Sequence, residues 1–384
     1  MGGLCPRCRG RGWCGRDECV YLAALREVRE RLARHRDLDG YTLTVHVSWR
    51  GYPRVRLAPG VGERDVPDEG RALARLPYDE LLELRALTFR KRSERRHVRE
   101  TPDLSHEEIE ATVSARPVES TLHVERRLSD PTRTAPFLGP LVDGRLELDG
   151  TPRVPRPLER VHEDELKAER AVIELYERGF DEGYIARALS LGLLGRPTDR
   201  RLVPTRWSVA AVDSIVSDHL KRTVRELPPG DEYRLLHGEL FGNEMWVILR
   251  PEPLSYELIE VYEPGAPWSD RERVTVLRDS EVSREREPEE TGGAYYAARV
   301  GALEACRDLG RQFGITVIRV VRREYSAPLG AWVIREAVRR AEEVVRTDDL
   351  GELLETLRER LDDPARAALR ALRRDRQSTL DRFL

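Results

Sequence analysis

The first twenty residues hold four of the chain's five cysteines, Cys5, Cys8, Cys14 and Cys19, in the run CPRCRGRGWCGRDEC. The spacing C-x2-C-x5-C-x4-C closes one tight turn and returns two more thiols to the same point. Four thiolates in that arrangement suit tetrahedral zinc, with Zn–S bonds of about 2.3 Å. Gly10, Gly12 and Gly15 permit the sharp backbone angles such loops need. The segment is too small and polar to fold around a core of its own, so metal binding would supply its folding energy. Arg7, Arg9, Arg11 and Arg16 would offset the charge of a zinc–tetrathiolate centre or face phosphate. Two disulfides are the competing reading; a reducing cytoplasm disfavours them, although intracellular proteins of hyperthermophiles are an exception. An iron–sulfur cluster is a third. The same stretch matches the dinucleotide pattern GxGxxG, but no strand precedes it and the cysteine loops already explain its glycines. Cys306, inside AARVGALEACRDLG, reads as a small buried residue.

At the other end the chain finishes QSTLDRFL, Gln377 to Leu384, with three large apolar side chains where a terminus normally frays into water. A 3₁₀ turn repeats about every three residues, so Leu380 and Phe383 stack on one side with Leu384 beside them. They form a compact plug for a preformed pocket; Gln377 offers its amide, and Ser378, Thr379, Asp381 and Arg382 stay in water. Charge supplies the next candidates. Residues 85–99 carry seven Arg or Lys against Glu94, a balance of +6, whereas residues 231–290 carry sixteen acidic against seven basic residues, −9. Arg90, Lys91, Arg92, Arg95 and Arg96 are therefore candidate phosphate contacts, with a solvated arginine-rich helix face as the plainer alternative. Arg201, Arg206, Asp213, Glu239, Asn243, Glu263 and Arg299 would line a pocket if the chain were an enzyme. Glu165-Leu-Lys167, downstream of Asp149, fits the D…ExK pattern of metal-dependent nucleases, but its periodicity is helical where that site needs a strand. The chain has neither a GxxxxGK[ST] loop nor a GxSxG elbow.

The 384 residues allow two or three domains, and 40% hydrophobic with 35% charged content reads as globular. No apolar run approaches a membrane span and the start has no apolar signal core, so the expected location is cytoplasmic and, with DNA as partner, nucleoid-associated, with no membrane partner. Of 66 basic residues only Lys91, Lys167 and Lys221 are lysine; Asn243 is the sole asparagine, and Gln312 and Gln377 are the only glutamines. Few thermolabile amides and many ion-pairing groups suit life at high temperature, although a GC-rich genome gives the same arginine bias.

The elements that must position these groups follow from periodicity. DECVYLAALREVRERLARHR reads as an amphipathic helix, and 41–60 as two strands joined at Arg50–Pro53. PYDELLELRALTF predicts a helix running into the basic patch, and Ser105 with Glu108 a capping box for a short helix over 106–112. The Pro- and Gly-rich residues 130–160 read as an extended surface connector, followed by one long helical stretch in EDELKAERAVIELYERGF. A helix starting near Thr205 or Ser208 should bury Val209, Val212, Val216 and Leu220, with Arg206 and Asp213 beside that stripe. YRLLHGEL, NEMWVILR and SYELIEVYEP predict a three-strand antiparallel meander, with Asn243 in a hairpin turn. A charged loop over 283–293 precedes a helix with Ala294, Ala298, Gly301, Ala302 and Ala305 along one side. ITVIRVV is an apolar strand, 328–345 a helix, and helical sequence continues to about residue 374.

Together these blocks resemble the archaeal Nre DNA repair family: the four-cysteine start, SWRGYPRVRLAPG, RRLVPTRWSVAAVD, HGELFGNEMWVIL, VYEPGAPW, TGGAYYAARVGALE, PLGAWVIREAV and QSTLDRFL, in one order along nearly the whole chain. The resemblance implies a role in DNA damage repair, with the tail recruiting the protein to the sliding clamp, PCNA. Residues 63–76 and 94–110 match no block, and the DNA-contact role for 85–99 comes from charge alone. The expected fold is α+β, mixed helices with an antiparallel meander, a four-Cys zinc module at 1–20 and a flexible tail at 375–384. Between them lie 21–290, with subdomains 21–150 and 160–290, and 291–374. Two functions are carried forward: a clamp-recruited DNA-binding repair factor, and a repair nuclease or nucleotide hydrolase.

Overall fold

The computed structural model describes residues 19–131, 137–266, 269, 272–281 and 288–372. Cys5, Cys8 and Cys14, the tail 377–384 and residues 283–287 of the charged loop lie outside the described residues. The fold is mixed α+β, with two six-stranded sheets among the described residues. It forms two compact units: 19–216 with 327–330, and 217–326 with 331–372. The division falls inside the 205–225 helix, and strands on both sides of residue 290 belong to one sheet.

In the first unit, helix α1 (Val20–Arg34) leads into strands β1 (Asp37–Val47) and β2 (Arg54–Gly62). Helices α2 (Gly70–Leu73) and α3 (Tyr78–Ala86), strands β3 (Phe89–Lys91) and β4 (Arg95–His97), and helix α4 (Glu107–Thr112) follow. Strands β5 (Val118–Arg127) and β6 (Leu141–Leu148) complete the sheet; helices α5 (Arg156–Glu163), α6 (Ala168–Glu177), α7 (Glu182–Ser190) and α8 (Thr205–Arg225) come after it.

Five strands close into a ring. β1 pairs antiparallel with β5 through Asp37–Thr42 and with β2 through Tyr41–Val47; β2 pairs antiparallel with β3, β3 parallel with β6, and β6 antiparallel with β5. With α4 in the crossover between β3 and β5, this is the strand order of an OB-type barrel. A strand serving two neighbours in this way must bend. β1 does so at a bulge between Thr42 and Thr44. Gly40 there lies so close to β2 that a Cβ would sit 2.3 Å from the Gly62 carbonyl oxygen. Leu38, Val61, Phe89, Leu122, Val142 and Leu146, one or two from each strand, fill the core together with Val28 of α1.

Four sequence expectations change in this unit. Residues 130–160 are not a surface connector, because β6 is a barrel strand. Its residues Val142 and Leu146 are buried, but the flanking prolines and glycines hid the alternation. The basic patch sits on strands rather than beyond a helix. β3 and β4 run beside β2 as one bulged strand, held at the bulge by Ser93, whose N–H donates to the Leu57 carbonyl (3.1 Å) and whose Oγ accepts from Leu57 N–H (2.9 Å). The Ser105 capping box does not form: α4 starts at Glu107, and the Ser105 hydroxyl donates instead to Asp103 at 2.9 Å. The long helix near 163–180 is broken between α5 and α6, leaving Glu165 and Lys167 in a connection and not on a strand.

The second unit contains β7 (Tyr233–Leu240), β8 (Asn243–Arg250), β9 (Ser255–Tyr262), β10 (Thr275–Ser280), α9 (Gly293–Asp308), β11 (Gly314–Val321), α10 (Trp332–Arg339), β12 (Glu342–Thr347) and α11 (Leu350–Arg360). β7 and β8 form the expected hairpin, but β9 does not pair with β8. β11 inserts between them, antiparallel to β8 and parallel to β9, and every one of its residues is buried. A strand covered on both faces reads as an unbroken apolar run, as ITVIRVV does. The hairpin turn uses Phe241 and Gly242 (φ 54° and 74°), so Asn243 is not the turn residue but the buried start of β8. The predicted 328–345 helix is shorter, since residues 342–347 pair with β7 as edge strand β12. α9 and α10 pack closely, Gly301 lying against Val338, and Cys306 is buried as its setting predicted. α11 seats Leu353 and Leu357 against Trp246, Ile248, Ile318 and Val320. Among the described residues no helix is long and apolar enough to cross a membrane.

Candidate nucleic-acid interface

The β2–β4 ladder sets the geometry of the basic patch. Arg54 pairs with His97, Val55 with Arg96 and Arg56 with Arg95. Side chains of paired residues share a face and alternate along a strand, so Arg54, Arg56 and Arg95 lie on the face away from buried Val55. Burial, and then the neighbouring charges of Arg92 and Arg95, hold the Arg56 guanidinium below its ordinary pKa. Like charges are thus crowded here, and Asp143 and Glu94 offset them in part. Arg56 donates to the Ser93 carbonyl (2.6 Å), and Asp143 takes Arg92 (2.6 Å) and Arg126 (2.9 Å) together. Through that shared carboxylate the arginine face continues to a cavity of about 320 Å³ between α1 and β5, lined by Arg29, His35, Arg36, Arg126 and Arg127 among others.

The five expected phosphate contacts do not behave alike. Arg90 is a correction: it is 7% exposed, donates Nε and Nη2 to the Gly139 carbonyl (3.1 and 2.8 Å), and burial lowers its pKa to about 10. Its work is internal, fastening β3 to the segment before β6. Lys91 is paired with Glu108 and Arg92 with Asp143. Arg96 is half-buried on the Val55 side, and Arg95 is exposed. Arg54 and Arg56, which the charge count over 85–99 could not include, complete the face through strand pairing.

Arg95 reaches the β1–β2 turn, where its guanidinium lies 2.8 Å from the position a Cβ on Gly51 (φ 89°) would occupy. That turn, Ser48 to Pro53, contains a cis Tyr52–Pro53 bond and presents Trp49 (46% exposed) and Tyr52 (53%). Its base is tied to the start of α8 by the Val47 N–H, which donates to Thr205 Oγ1 at 2.8 Å. α8 in turn brings Trp207 (44% exposed) edge-on to Tyr52, with ring centroids 5.1 Å apart. Arg50 and Arg206 stand over Trp49 at 5.7 and 5.5 Å from its centroid, within cation–π range. Sequence reading missed these three aromatics. The available signal was tryptophan and tyrosine set among Arg, Gly and Pro in SWRGYPR and TRW, where no core periodicity calls for them.

The residues of the supposed enzyme pocket take separate partners. Arg206 lies on Trp49, Arg201 donates to the Thr198 and Arg200 carbonyls, and Asp213 is buried in α8. In the second unit Asn243 accepts from Arg319, Glu263 binds Arg323, Arg299 binds Ser217, Asp218 and Glu281, and Glu239 is exposed. Of the cysteine set, Cys19 is described: it is half-buried at the N-cap position of α1.

Two family models match the chain, "Archaeal Nre, N-terminal" over residues 13–269 and "Archaeal Nre, C-terminal" over 280–383. It is 33% identical over 348 residues to the DNA repair protein NreA of Archaeoglobus fulgidus, covering 88% of each chain. It is 32% identical over 351 residues to the DNA repair protein NreB of the same organism, covering 88% of this chain and 87% of that one. To the DNA repair protein NreA of Haloferax volcanii it is 40% identical over 210 residues, 53% of this chain and 50% of that one. No solved structure matches.

Proposed function

The chain belongs to the archaeal Nre family, and on that footing we propose that it is a DNA-repair factor that contacts DNA through the β2–β4 arginine face. In this reading its C-terminal QSTLDRFL recruits it to the sliding clamp PCNA, and a zinc module built on Cys5, Cys8, Cys14 and Cys19 orders its N-terminus. It would act in the cytoplasm, at the nucleoid. The relatives' names support the repair role. The observation that carries DNA contact is the row of Arg54, Arg56 and Arg95 on one face of the β2–β4 ladder, Arg54 and Arg95 exposed and Arg56 half-buried between them. The rival reading, a nuclease or nucleotide hydrolase, needs Arg201, Arg206, Asp213, Glu239, Asn243, Glu263 and Arg299 to share a pocket, and their partners are separate.

Replacing Arg54, Arg56, Arg92 and Arg95 with Ala is expected to flatten the dependence of log affinity on log salt for duplex DNA. Each phosphate that is no longer neutralised reduces the slope by about 0.9, so the full set gives up to about 3.6. Arg90→Ala should lower thermal stability and leave the slope unchanged. A quadruple variant with the wild-type slope would make this face merely solvated. For the amino terminus, elemental analysis of protein purified without added metal should find about one zinc per chain, bound as thiolates. Absence of zinc and iron, with no free thiols among the four, would indicate disulfides.

A further inference from the structure

We propose that Trp49, Tyr52 and Trp207 form a base-stacking subsite, so that the chain binds single-stranded DNA in preference to duplex at the end of its arginine face. The choice of DNA as ligand rests on the repair reading above; the stacking itself rests on geometry. Of the five large apolar side chains most exposed among the described residues, three are these aromatics, gathered from segments about 155 residues apart. They do not face a core and are not randomly scattered. They cap the first hairpin of a barrel whose strand order is that of OB folds, a class that binds oligonucleotides across strands two and three and the loop joining strands one and two. Here that loop carries Trp49 and Tyr52, and strand two with its bulged neighbour carries Arg54, Arg56 and Arg95.

Fold class alone would not assign a ligand. The side chains do so in combination. Aromatic faces stack on bases of any sequence, while guanidinium groups track the backbone and themselves stack on bases. The Arg50–Trp49–Arg206 arrangement supplies both kinds of interaction around one ring. Bases within a duplex have their faces covered by neighbours, so only unpaired bases can use these rings. A single strand is therefore held in two ways, phosphate on arginine and base on aromatic, and a duplex in only the first. An acidic peptide would use the arginines but has no flat rings to match the aromatics.

The test uses the full-length protein, fluorescein-labelled oligo(dT) and a duplex of equal length, compared by anisotropy at fixed salt. Trp49→Ala with Trp207→Ala should weaken oligo(dT) binding roughly 5- to 150-fold and duplex binding less than twofold. Trp49→Phe, which keeps a ring, should retain most of the affinity, and every variant should still melt in one cooperative transition above the assay temperature, so that lost binding reports the rings and not the fold. Loss in the Arg54→Ala, Arg95→Ala variant with none in the double Trp variant would overturn stacking while leaving the DNA reading intact. No binding of either DNA by the wild type would overturn both. Tight binding of a poly-glutamate peptide, competing with oligo(dT) and equally sensitive to the Trp changes, would make the surface a protein-docking site instead.

Discussion

Arg319→Met should destabilise the second unit by about 3–5 kcal/mol, the range for removing one partner of a buried ion pair. Arg319 is 4% exposed and lies on central strand β11. Its guanidinium meets Glu260 of β9 and gives two hydrogen bonds to Asn243 Oδ1 of β8 (3.0 and 2.6 Å), and Tyr262 donates to the other oxygen of Glu260 at 2.9 Å. Glu260 is 1% and Asn243 0% exposed, so the network is almost wholly shielded from solvent and ties both neighbours of β11 to it. Without Arg319 the Glu260 carboxylate is left buried without its cation. For a unit of this size the thermal midpoint should fall by roughly 6–20 °C. The double variant Arg319→Met, Glu260→Leu should recover most of that loss, since hydrophobic replacement of a buried pair is often neutral. Chemical denaturation of both variants decides it. If the single change costs under about 1 kcal/mol, the pair is not desolvated as the structure has it.

Phe383→Ala is expected to weaken binding to the sliding clamp roughly 10- to 150-fold, the equivalent of about 1.5–3 kcal/mol for one large apolar anchor. Removal of 377–384 should abolish binding, because Leu380 and Leu384 then go as well. Neither change should move the thermal midpoint, since the anchors in this reading are held for a partner and not for the protein's own core. Arg366 and Arg370, together with the basic run at Arg373, Arg374 and Arg376, would steer the tail toward an acidic surface, so the association rate should fall as salt rises. Titration of the clamp with intact and truncated chains is the measurement. Equal binding by both would show that the tail does not engage the clamp, and a falling thermal midpoint in Phe383→Ala would place the ring in the protein's own core.

What could be read directly from the sequence were features whose cause is local. The β1–β2 hairpin, α8, the β7–β8 hairpin and the buried strand β11 each follow from a periodicity or an apolar run within a dozen or two residues. Family membership followed from blocks of residues in order, while the cysteine spacing and the QSTLDRFL pattern are local signals whose ligands the zinc assay and the clamp titration decide. Tertiary structure decided what depends on pairing between distant segments. An apolar strand says that it is central but not which strands flank it, so the predicted meander gave way to β11 between β8 and β9. Charge counted along the chain placed Arg90 with its neighbours, although on β3 it lies opposite core residue Phe89 and is buried against the Gly139 carbonyl, and ladder pairing brought Arg54 and Arg56 to Arg95 instead. Asn243 and Arg319, 76 residues apart, show no signal of their hydrogen bond until three strands align them. Trp49, Tyr52 and Trp207 became a surface only because a barrel closed and its first loop docked on the start of α8. Side-chain chemistry is written residue by residue, but which chemistries meet is set by strand order and register, and a sequence read in windows carries neither.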